Sequence, residues 1–175
     1  MNGRRIADGA LEALRAVTTS QLIVANDAGA SRWFPGERVV ADALAGLGPL
    51  AGIETALLAA NGQPVLVLAW DMPFVHAGLL REIAERGAGG ARAVVPRHGV
   101  RMQPQPLCAY YPASARDVCR ELLERGERRA AALAEALPHV EWLRDAELEP
   151  FGDPGSMFMS IDTPEQLAAV GGALP

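Results

Sequence analysis

The sequence predicts an α/β fold in three layers, a mostly parallel sheet with helices on both faces, forming one domain over residues 1–175. Three observations lead there. Short apolar runs alternate with amphipathic stretches of about ten residues, the pattern of strands joined by crossover helices. The strongest run, Val65-Leu66-Val67-Leu68-Ala69, is apolar at every position, as a strand covered on both faces should be. The length of 175 residues, half hydrophobic and 21% charged, suits one globular domain.

The elements follow in order. Residues 3–17 carry apolar side chains at Ile6, Ala10, Leu11, Leu14 and Val17, a helical spacing. Residues 21–26 form a short strand opening into a polar loop, and 37–40 a second one. The Gly/Pro loop 46–52 feeds a helix over about 50–60, and Asn61-Gly62-Gln63-Pro64 is a turn before the strand at 65–69. A helix is expected over 77–86, broken by the glycines of 87–90, then a strand at 93–96. Residues 98–101 read as a turn and 107–111 as a strand. Helices follow at 113–125 and 129–137, with a strand at 139–143. Thr163-Pro164-Glu165 opens a last helix with a capping residue, a proline at the first helical position and an early acid.

Composition excludes several functions. The 16 basic residues are all arginine, set against 21 acidic ones, for a net charge of −5. Such a chain is not built for general binding to nucleic acid or an anionic membrane. Without lysine there is no Schiff base and no P-loop lysine. Cys108 and Cys119 form neither a disulfide framework nor a zinc pattern and are expected as reduced, partly buried thiols. The longest apolar run, residues 64–70, is too short to span a membrane, and the start carries no secretory signal, so the expected location is the cytoplasm. No Gly-x-Ser-x-Gly elbow is present, and His76, His98 and His139 have no triad-like context.

In parallel α/β sheets ligands bind at the carboxyl ends of the strands. Asp71 lies there, just past the strand at 65–69, where a lone carboxylate suits Mg2+ held together with substrate phosphates. The competing reading is a cap for the next helix. The loop Gly46-Leu47-Gly48-Pro49-Leu50-Ala51-Gly52 allows close backbone approach to a ligand, and the helix behind it favours an anion or a base edge. Asn26, Asp27 and Asp42 also follow strands; each by itself reads more readily as a loop cap than as a ligand, and their shared edge with Asp71 is what raises them. Arg97, Arg101, Arg128 and Arg129 lie near loops and could grip phosphate in a bidentate fork. Trp70 is placed to wall the pocket, while Trp33 and Trp142 read as packing.

Gly48-Pro49-Leu50-Ala51-Gly52 followed by Asp71-Met72-Pro73-Phe74 resembles the molybdenum cofactor guanylyltransferases. Gln105 to Tyr111, Gly126-Glu127-Arg128-Arg129 and Ser160 to Leu167 resemble further elements of that family, in the same order. The resemblance implies a Rossmann-like fold of the nucleotide-diphospho-sugar transferase type. It implies transfer of GMP from GTP to the terminal phosphate of molybdopterin with release of pyrophosphate, helped by Mg2+. Transient contact with molybdoenzymes or cofactor-delivery proteins comes with that activity. By position, Asp71 matches the family's metal-binding aspartate, and Asn26 and Asp42 match nucleotide-contacting positions. The backbone from Gly48 to Gly52 would lie near the base. Asp162 would face the metal, although it and Ser160 stand where the family has asparagine. The same fold serves cytidylyl or sugar-phosphate transfer, and a domain that binds without turnover.

One departure is large. Asn2-Gly3-Arg4-Arg5-Ile6 already resembles a family segment that follows the first strand and the triphosphate-binding loop. The resemblance therefore implies a sheet lacking that first strand, and either a reading frame starting upstream of Met1 or a truncated gene. It also implies that the strands at 22–26 and 65–69 lack their shared neighbour, leaving edges unpaired.

Overall fold

The computed structural model describes residues 5–44, 46–90, 92–161, 163 and 165–166. Helix α1 (Ile6–Arg15) leads into β1 (Leu22–Val24), the short helix α2 (Ala30–Trp33) and β2 (Arg38–Val40). Helix α3 (Pro49–Ala59), β3 (Val65–Leu68) and α4 (Ala77–Gly90) follow, then β4 (Ala93–His98), β5 (Gln103–Pro104) and β6 (Cys108–Tyr111). Helices α5 (Ala115–Glu124) and α6 (Ala130–Ala136) precede β7 (Val140–Leu143). Helix α7 (Asp145–Leu148), a 3-10 turn (Glu149–Phe151) and α8 (Pro154–Met157) complete the described elements.

The strands form two sheets. In one, β1 and β2 are parallel, with Ile23 opposite Val39. In the other the order is β3-β6-β4-β5, with β7 also on β4. There β3, β4 and β7 point one way and β5 and β6 the other, so the α/β class is met by a mixed sheet. Among the described residues β1 pairs only with β2, and β3 only with β6. The expected lack of a shared neighbour is thus what the ladders display.

Period-two alternation sorts side chains between two cores. Val65, Val67, Val95, Ala109 and Tyr111 face α3, α5 and α6. Leu66, Leu68, Val94, Cys108 and Tyr110 face α4 and the end of α1. Leu79, Leu80 and Ile83 of α4 are fully buried, each contributing about 1.5–3 kcal/mol. Both cysteines are free and buried, and burial pushes each thiol up to about 12.

Two boundaries differ clearly from the sequence reading, and four short elements have no counterpart in it. Helix α4 runs to Gly90 instead of breaking at Gly87. Gly87 is there for closeness: a Cβ at that position would strike the ring of Tyr110. Strand β4 reaches His98, and the turn beyond it leads into β5. Helix α2, α7, α8 and the 3-10 turn, each four residues or fewer, have no periodic signal in the sequence.

Candidate active site

The carboxyl ends of β3, β4 and β7 lie along one edge, since these strands point the same way. Asp71 sits there, three residues beyond β3. Its carboxylate accepts a short hydrogen bond from the Ser160 hydroxyl, and its carbonyl accepts the Ile161 amide at 3.0 Å. It does not cap α4, which begins only at Ala77; the His76 ring accepts the Gly78 amide there at 3.1 Å. Asp71 therefore joins the end of β3 to the segment carrying Ser160. Trp70, beside it, is 64% exposed, an aromatic wall turned to solvent. Asp162, the other expected metal ligand, lies outside the described residues.

Asn26 and Asp42 are brought together from the ends of β1 and β2. The Asp42 amide donates to Asn26 Oδ1 at 3.0 Å. Asp42 Oδ1 accepts from the Leu44 amide at 3.0 Å and the Thr55 hydroxyl at 2.9 Å, and Thr55 Oγ1 accepts the Ala43 amide at 3.0 Å. Thr55, buried on α3, is the residue that sequence reasoning missed. It ties the loop after β2 to α3. Asp27 is a turn residue, accepting the Gly29 amide at 2.6 Å.

At the start of α3, Gly48 has φ 78°, with Pro49 opening the helix. A side chain at Gly48 would meet the Arg128 carbonyl at 3.1 Å, and that carbonyl accepts the Leu50 amide at 3.4 Å. The segment after α5 is thus clasped to the loop before α3. Leu50 and Ala51 are wholly buried, so Gly48, Pro49 and Gly52 present the surface of this loop. Glu127 organises the same turn. It accepts the Arg128 and Arg129 amides at 2.8 and 2.9 Å and pairs with the Arg129 guanidinium at 2.9 Å, which holds its carboxyl near 2.

Further along the edge His98 gains a partner the sequence did not reveal. Its Nδ1 is 2.8 Å from Asp145 Oδ1, and its ring lies 6.1 Å from that of Phe158. Asp153, in front of α8, is held below the ordinary carboxylate range by the Ser156 hydroxyl and amide.

A half-exposed oxygen ligand at Asp71 fits a hard cation such as Mg2+, which takes one or two carboxylates plus substrate phosphates. Among the described residues no three His, Cys, Asp or Glu side chains converge into an all-protein metal cage. No described helix is long and apolar enough to cross a membrane.

A family model described as the MobA-like NTP transferase domain matches residues 1–140. A probable molybdenum cofactor guanylyltransferase of Pelotomaculum thermopropionicum is 36% identical over 132 residues, 75% of this chain and 62% of that one. One from Chloroflexus aggregans is 32% identical over 169 residues, 96% of this chain and 80% of that one. Among solved structures, molybdopterin-guanine dinucleotide biosynthesis protein A of Archaeoglobus fulgidus superposes with a TM-score of 0.77 at 27% identity, covering 97% of this chain and 85% of that one. The 2-C-methyl-D-erythritol 4-phosphate cytidylyltransferase of Thermus thermophilus, at TM-score 0.72 and 19% identity over 95% of this chain and 87% of that one, shares the fold.

Proposed function

The chain belongs to the MobA-like NTP transferase family, and from that membership we propose that it transfers GMP from GTP to the terminal phosphate of molybdopterin, releasing pyrophosphate. The observation that carries the reading is Asp71, a half-exposed carboxylate beyond the end of β3, fixed by Ser160 and Ile161.

In this reading the acceptor phosphate attacks the α-phosphorus of GTP in line, and pyrophosphate leaves from the opposite side. Asp71 would hold Mg2+, with Asp162 as the second proposed ligand. Bound there, the cation neutralises charge gathering on the phosphates. The chain itself supplies position. Ser160 holds the Asp71 carboxylate in one orientation. The Asn26–Asp42–Thr55 network shapes the nucleotide end of the crevice. Gly48, at a φ of 78°, makes the turn that would present the backbone at the start of α3 to the base.

The test is transfer of label from α-labelled GTP, with CTP as competitor, to molybdopterin. Expected are transfer from GTP over CTP and release of pyrophosphate. Asp71→Asn should lower turnover by about 100-fold or more while the thermal midpoint moves little, since the lost interaction is made chiefly in the transition state. Preference for CTP would reassign the nucleotide. Pyrophosphate never released by the wild type would indicate a binding domain.

A further inference from the structure

Four of the described arginines are half-buried: Arg86, Arg97, Arg116 and Arg128. Three have partners in the chain. Arg86 pairs with Glu82, Glu141 and Glu147, Arg116 with Glu54, and Arg128 donates to the Leu123 and Glu127 carbonyls. Arg97 differs. Its guanidinium carbon lies 3.4 Å from the centroid of the Trp142 ring, and its Nε is shut off from solvent without an acceptor. In a chain of net charge −5, no described carboxylate pairs with it.

The fold places this cation well. Arg97 is near the carboxyl end of β4, on the edge that carries Asp71 beyond β3. It follows Val95 on the sheet face covered by α3, α5 and α6. Strand β6 separates β4 from β3, so the two strand ends are about 10 Å apart at ordinary strand spacing. With one face stacked on indole, the guanidinium keeps a fixed plane, and its two terminal Nη groups are the donors left to meet an oxyanion in that plane, Nε being enclosed.

We propose that Arg97, stacked on Trp142, binds a second anionic group of the acceptor, on the same strand edge as Asp71 and two strands away from it. The inference rests on the function proposed above and adds a second contact to its acceptor: the terminal phosphate attacks at Asp71, and another anionic group of the same molecule is held at Arg97. The site discriminates against acceptors with a single negative charge.

Trp142 can report on this directly. In a Trp33→Phe/Trp70→Phe background it is the remaining tryptophan of three. Inorganic phosphate, titrated against chloride at constant ionic strength, should change its emission saturably. Arg97→Met should abolish the response, and Arg97→Lys, which keeps charge but loses the planar fork, should weaken phosphate binding at least about tenfold. In the transfer assay Arg97→Met should raise the acceptor KM and leave the GTP KM unchanged. An identical titration in Arg97→Met, or an equal response to chloride, would overturn the proposal. Should Arg97→Met fail to fold by circular dichroism, wild-type affinity in Arg97→Lys overturns it equally. Absent GMP transfer with an intact Arg97-dependent phosphate response would fail the function and keep the anion site. Transfer with an unchanged acceptor KM in the folded Arg97→Met variant would do the reverse.

Discussion

Strands β6 and β1 are both short and built mainly of apolar residues, but their surroundings differ. All four residues of β6 are buried: β3 and β4 flank it, and helices cover both faces. Leu22, Ile23 and Val24 of β1 stay half-buried, with β2 alone beside them among the described residues. Strand β3 is intermediate in the same sense, four apolar residues none of which is fully buried, one edge having no ladder among the described residues. Apolar composition sets what a strand can bury; the number of strands beside it sets what it does bury. The proposed site straddles this divide, with Asp71 past β3 and the Asn26–Asp42 pair past β1 and β2. Helix α3 bridges the two, through Thr55 to one side and through Leu50, Ile53 and Leu57 to the other core.

The largest contrast should come from paired truncations. Leu133→Ala, in the wholly buried core under α6, is expected to cost about 2–5 kcal/mol, whereas Ile23→Ala on half-buried β1 should cost about 1 kcal/mol. Urea unfolding measures both, and equal losses would break the comparison. Thr55→Val keeps the shape but strips the hydroxyl between Asp42 and the Ala43 amide. A loss of about 1–3 kcal/mol is expected, with weaker GTP binding by calorimetry; unchanged binding would detach this network from the nucleotide. The smallest effect concerns pH. The Glu127 carboxyl lies near 2 in the folded chain against an ordinary 4.5. A depressed acid favours the fold above its unfolded value, and that contribution fades as pH falls from about 4.5 to about 2. Glu127→Gln should flatten the stability profile within that window: urea unfolding is expected to find it modestly less stable than the wild type at neutral pH and equal to it near pH 2, and an unchanged difference across the window would remove Glu127 as the source.

What could be read from sequence followed from period and from chemistry confined to a few adjacent residues. The apolar runs located β3, β4, β6 and β7 to within a residue or two at most ends, and the helix expected over about 50–60 is α3, beginning one residue earlier at Pro49. Asp71, Asn26 and Asp42 were found because each closes an apolar run, and the fold places all three at strand ends. Thr163 and Gln166 exchange amide bonds at 3.0 and 3.2 Å, as the capping signal suggested. Thr55 and the pairing of His98 with Asp145 could not be read. Their partners are 13 and 47 residues away and are brought near only by packing. Gly87 misled for a related reason: a breaker on its own helix is a space-maker once Tyr110 lies across from it.

The two thiols have a use that follows from where they sit. Cys108 belongs to the core beneath α4, Cys119 to the core beneath α3 and α6, and in the native fold both are protonated at neutral pH and closed to reagents. Each thiol becomes reactive only when its own layer opens. The chain thus carries one natural clock per layer, and the alkylation rates of its two cysteines, read separately, time the breathing of one side of the sheet against the other.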